Sequence, residues 1–130
     1  MSGCIGAQLK FQTVVQRAET GPSGWQEACL EALFTNMTTQ DSHVCLIGIG
    51  MPIENRENGY IAPWEAAEIA TDCINEAVQL VVQPAPPSSP SALVCANFKD
   101  AFNQILAKRV RGSRVKLGCG EDIPHTRVGF

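Results

Sequence analysis

Much of what would announce a chemistry is missing from this chain of 130 residues. It holds only two histidines, His43 and His125, so acid–base catalysis has few groups to draw on. No two cysteines stand as CxxC, which leaves no zinc-ligand pair. The longest apolar run, around Val44 to Pro52, is too short to cross a bilayer. Residues 1–7 have neither the basic start nor the apolar stretch of a signal peptide, and a cytoplasmic location is the expectation. A net charge of −3 gives no electrostatic reason to expect nucleic acid or an acidic membrane surface as partner.

What is present suits a packed domain. Hydrophobic residues make up 45% and charged residues 18%, and the length fits one domain over residues 1–130. Cys29, Cys45, Cys73 and Cys95 lie in apolar segments, where a free thiol is a small hydrophobe. With no sign of secretion, they are expected as core thiols and not as a disulfide framework.

Residues 8–17 (QLKFQTVVQR) alternate and are rich in β-branched side chains, which predicts a strand. After the break at Gly21–Gly24, residues 25, 28, 29, 32 and 33 recur at helical spacing, which predicts a helix over 24–36. Residues 43–53 (HVCLIGIGMPI) form an almost continuous apolar run, the pattern of a buried strand. A helix over 63–77 follows, with Pro63 in its first turn and Ala66, Ile69, Ala70, Cys73, Ile74 and Ala77 inward. VQLVVQ (78–83) reads as a strand, PAPPSSP (84–90) as a stiff connection, and SALVCAN (91–97) as a further strand. Residues 98–111 read as a helix burying Phe98, Ala101, Phe102, Ile105 and Leu106; residues 114–117 are a candidate last strand. The expected fold is therefore α/β, an α+β sandwich of order β-α-β-α-β-β-α, with helices most simply on one face of a mixed sheet.

The candidate chemistries each have a plainer reading. Gly48-x-Gly50 lacks the third glycine and the following helix of a dinucleotide fingerprint. His43 and Cys45 share a strand face without a third, orienting group, and packing is the expectation for both. Cys119, Glu121, Asp122 and His125 fall in a terminal segment that reads as a solvated tail. The basic run of Lys108, Arg109, Arg111, Arg114 and Lys116 has no interleaved aromatics and reads as a charged helix end. No catalytic residue, metal or cofactor is expected.

The order VCLIGIGMPI, PWEAAEIATDCINEA, AVQLVVQ, SALVCAN, FKDAFNQIL resembles the shell-protein domain of bacterial microcompartments (BMC). QLKFQTVVQR and GWQEACLEALF, placed first, are similar to its circularly permuted single-domain variants. The resemblance then covers residues 8–110, with 112–130 as a C-terminal tail. It implies a structural protein, not an enzyme: a homohexamer with a central pore for small metabolites, tiling with other shell proteins inside the cytoplasm. Pro86, Pro87, Ser88, Ser89 and Ser91 would line the pore. Asp72 and Asn75 stand near the family's tile-edge lysine, so the resemblance implies a subunit edge there without that lysine. Two rivals stay open. One is an all-helical, retroviral-like capsid domain built on residues 9–41; the other is a small enzyme or ligand-binding module using Cys119, Glu121 and His125.

Overall fold

The structure is a computed structural model that describes residues 3–5, 9–15, 19–20, 24–55 and 59–116. Its centre is a meander of three strands, β2 (Leu9–Val15), β4 (Trp25–Asn36) and β5 (Asp41–Pro52). All are antiparallel: Leu9 faces Asn36, and Trp25 faces Pro52. Short strands extend this sheet. β1 (Gly3–Ile5) pairs with β2, β3 (Glu19–Thr20) with β4, and β8 (Arg114–Lys116) with Gly48–Gly50 of β5. A two-stranded ribbon, β6 (Glu54–Asn55) and β7 (Gly59–Tyr60), leads to α1 (Pro63–Ala77). One π-helical turn (Val78–Val82) prolongs α1, and α2 (Ser91–Arg109) follows the proline loop. The fold is thus mixed α/β, with an antiparallel sheet and two helices, and both helices pack on β4 and β5 or their neighbours.

The alternation of β4 and β5 decides which face the helices cover. Ala28, Leu30, Ala32 and Phe34 of β4 are buried, as are Cys45, Ile47, Ile49 and Met51 of β5. From the helices come Ala66, Ala70, Cys73, Ile74 and Ala77, then Val94, Cys95, Phe98, Phe102, Ile105 and Leu106. Four phenylalanines knit the layers together. Phe34 lies 5.0 Å from Phe11 and 5.4 Å from Phe98, and Phe98 lies 6.2 Å from Phe102, centroid to centroid. Such offset and edge contacts add to the area each ring buries.

Three of the expected elements are different. Residues 24–36 form a strand, not a helix. Their apolar residues fit both periods, and the strand face includes buried Gln26 and Asn36, which binary patterning counts as exposed. Pairing along β2 and all of β5 outweighs the helix propensity of Ala, Leu and Glu. VQLVVQ is not a strand either. Val78 and Val82 continue the buried stripe of Ala70, Ile74 and Ala77, so three valines carried by a helix stay helical. SALVCAN is the first two turns of α2, because Ser91, Val94, Cys95 and Phe98 already keep the three-and-four spacing of the helix behind them. The order β-α-β-α-β-β-α therefore does not hold, and two segments that the shell resemblance takes as strands are helical. Residues 9–41 likewise do not have the all-helical form of the capsid rival.

The cysteines also depart from expectation. Cys45 on β5 and Cys95 on α2 are joined by a disulfide with Cα atoms 6.0 Å apart, which staples the sheet to the helical layer. Cys29 is disulfide-bonded too. Cys73, buried on α1, is a free thiol as expected, and burial pushes its pKa up to about 11.

Candidate functional site

The tip of the β4–β5 hairpin grips the entry to α2. Asn36 ends β4 with its side chain turned inward. Its Nδ2 donates to the carbonyls of Pro87 at 2.8 Å and Ser89 at 3.1 Å. Its Oδ1 accepts from the amides of Thr38 at 2.9 Å and Thr39 at 3.1 Å. An amide side chain can make four hydrogen bonds, and here all four are made. Asp41 opens β5, and its Oδ2 accepts from the Ser91 amide and the Ser91 hydroxyl, each at 2.7 Å. The residue before α2 is Pro90, which has no capping group, so Asp41 acts as the cap from another strand. The Ser91 hydroxyl, then the Ser91 amide, hold the Asp41 carboxyl below its ordinary 3.8, and the charge of His43 adds to this.

This clamp fixes the proline loop as one wall of an apolar groove of about 390 Å³. Leu80 of the π-turn, Pro84, Pro86 and Leu93 supply its apolar lining, with Ser89 and Asn97 as polar members. A second depression of about 370 Å³ shares Leu80 and runs on to Glu76, Lys108 and Arg109. The other side of the molecule, the sheet face turned from the helices, carries Val44 and Leu46. These two are 50% and 42% exposed, while Leu80 and Leu93 are 61% and 52% exposed. Large aliphatic side chains thus stand out on both outer faces.

No protein-family model, curated protein or solved structure matches the chain.

The sequence-predicted site residues are scattered by the fold. Pro86 and Ser89 line the groove, and Pro87 and Ser88 are exposed on the loop. Ser91 is buried and its hydroxyl is spent on Asp41, so it faces no opening. Asp72 and Asn75 are exposed on α1. Arg109 lies 3.6 Å from Asp72 and 3.8 Å from Glu76, in exposed pairs of little stability value. His43 and Cys45 do share a strand face, but the Cys45 sulfur is bonded to Cys95 and no thiol–imidazole pair exists. The basic run is divided, since Arg114 stacks on the Trp25 ring, 4.2 Å from its centroid. Gly50 makes room for that ring: a Cβ there would meet Trp25 Cε3 at 3.3 Å. Among the described residues no three of His, Cys, Asp and Glu converge on a metal position, and no helix is long and apolar enough to cross a membrane. Cys119, Glu121, Asp122 and His125 lie outside the described residues. Sequence reading missed Asn36, Asp41, Leu80 and Leu93. The last two were hidden by the strand assignments, and helical spacing on either side of the proline loop was the signal that would have exposed them.

Proposed function

We propose that the protein is a structural subunit that works by binding copies of itself, and not an enzyme. The observation that supports this is the exposure of Val44 and Leu46 on one outer face and of Leu80 and Leu93 on the other. Aliphatic side chains grouped on two faces of a small domain suit contact with other protein surfaces. In the finer form implied by the sequence resemblance, the copies close into a ring, a hexamer in a bacterial microcompartment shell. Its opening, bordered by Pro86–Ser89, would pass small polar metabolites. That finer form rests on the resemblance alone. The shell form implies the cytoplasm, where a stable disulfide is rare, so the thiol state of Cys45 and Cys95 in protein taken from its own cell tests that location. The assembly itself is tested by native mass in solution. A species of roughly five or six subunits is expected for the closed ring; a clean monomer at micromolar concentration refutes self-assembly.

A further inference from the structure

We infer that the clamp at the hairpin tip is the latch of the Cys45–Cys95 disulfide. It keeps the bond closed to thiol reductants, and the bond becomes reducible when the entry to α2 comes off the tip, with the sheet and the rest of α2 still folded.

A disulfide is cleaved by a thiolate that reaches one of its sulfurs. Cys45 is 0% exposed and Cys95 2%, so a thiolate from solvent reaches neither while the fold is closed. The free thiol of Cys73 does not replace it from inside. It is buried on α1, and burial pushes its pKa up to about 11, which leaves it protonated at neutral pH. Reduction therefore waits for an opening of the fold.

Where that opening begins follows from how α2 is held. Its later turns carry Phe98, Phe102 and Leu106, all fully buried, with the two rings stacked 6.2 Å apart. Lifting that part exposes the aromatic core. The entry buries only Ser91 and Val94 before Cys95 itself. The proline loop ahead of it bonds within itself, the Ser89 amide donating to the Pro86 carbonyl, and Pro90 has no capping side chain. Asn36 and Asp41 tie this entry to the sheet: Asn36 Nδ2 donates to the Pro87 and Ser89 carbonyls, and the Ser91 amide and hydroxyl donate to Asp41 Oδ2. Ser91 stands one helical turn before Cys95 on the same side of α2, so the contact that seats Ser91 lies next to the disulfide. Hydrogen bonds at an exposed tip open at lower free energy than a packed core, which makes this end of α2 the place of local opening.

Native reduction kinetics test it. The folded protein is held with dithiothreitol at neutral pH, alkylated at intervals, and read peptide by peptide at Cys45 and Cys95. One thiolate of the reagent bonds to a cysteine sulfur and displaces the other, which takes up a proton; the second thiol of the reagent then closes its ring and frees the first cysteine. The wild type is expected to react far more slowly than the same bond in urea-unfolded protein. Asp41 is exposed, so Asp41→Ala is expected to fold, as circular dichroism will show. It removes two hydrogen bonds to a charged carboxylate and is expected to speed reduction about tenfold or more. Gly112→Ala is the control. It strains the turn beyond the far end of α2, lowers the stability of the whole fold, leaves the entry untouched, and is expected to react at the wild-type rate. Equal acceleration of both variants, in step with their loss of global stability, would place reduction in the unfolded chain and overturn the latch. Asp41→Ala reacting at the wild-type rate, or folded wild type reacting as fast as unfolded, overturns it as well.

Discussion

Removing the Cys45–Cys95 bond is the most informative single perturbation of this fold. The bond joins residues 50 apart in sequence, one on the strand next to the sheet centre and one on the second turn of α2. Cutting it frees the unfolded chain to explore conformations that the closed loop forbids. For a loop of about 50 residues the chain-entropy relation gives about 4 kcal/mol at 25 °C. Both residues are buried, so a Cys45→Ala/Cys95→Ala variant also loses two packed sulfurs, which adds to the loss. With a urea slope of roughly 2 kcal/mol/M, the unfolding midpoint should fall by about 2 M. The double variant isolates this bond, whereas reductant would open the Cys29 bond as well. Thiol counting gives the independent check. In denaturant without reductant, Cys73 should label and Cys45 and Cys95 should not. Labelling of Cys45 and Cys95, or a midpoint within experimental error of the wild type, would refute the staple.

Three further outcomes follow from the clamp and the turns. Asn36→Ala leaves the carbonyls of Pro87 and Ser89 and two turn amides without their partner, and should cost about 2–3 kcal/mol in urea unfolding. Asn36→Asp should be no better, since it sets a carboxylate against two carbonyls. The Asp41 carboxyl is held below 3.8 in the folded protein, so its contribution is complete above that value and fades as pH falls through the lower folded value. The stability gap between wild type and Asp41→Asn should accordingly hold at pH well above 3.8 and narrow as the pH is taken below it; a constant gap would show that Asp41 is not the charged cap. Gly112 has φ +82 and sits in the turn from α2 to β8, where Gly112→Ala should cost about 1–2 kcal/mol by thermal unfolding.

Much of the fold was legible where one period ruled alone. α1 over 63–77, the strand expected over 43–53 and found as Asp41–Pro52, and the helical character of residues 98–109 follow from apolar spacing. Legibility failed where two periods coincide. In β4 the residues at 28, 29, 32 and 33 satisfy a helix, while 28, 30, 32 and 34 satisfy a strand, and only pairing with β2 and β5 decides. In VQLVVQ and SALVCAN the β-branched and apolar content outvoted the stripe that continues from the adjoining helical residues. The disulfides were hidden for another reason. Cys45 and Cys95 approach only once α2 lies on the sheet, and no spacing along the chain announces that contact.

The polar residues of β4 carry the part of the fold that apolar patterning cannot. Gln26 and Asn36 sit near the two ends of the strand, on the face that the helices cover, about 34 Å apart. Gln26 Nε2 donates to the Ile61 carbonyl at 2.9 Å, two residues before α1 begins. Asn36 Nδ2 donates to Pro87 and Ser89, just before α2 begins. Each end of one strand therefore fixes the chain entering one helix, and the two helices start from opposite ends of the sheet. A buried amide at either place is costly unless its partner carbonyl is there, so each selects the one chain path that supplies it. Read as exposed residues, Gln26 and Asn36 argue for a helix; read as the joints of the helical layer, they explain why residues 25–36 are the strand at the middle of the meander.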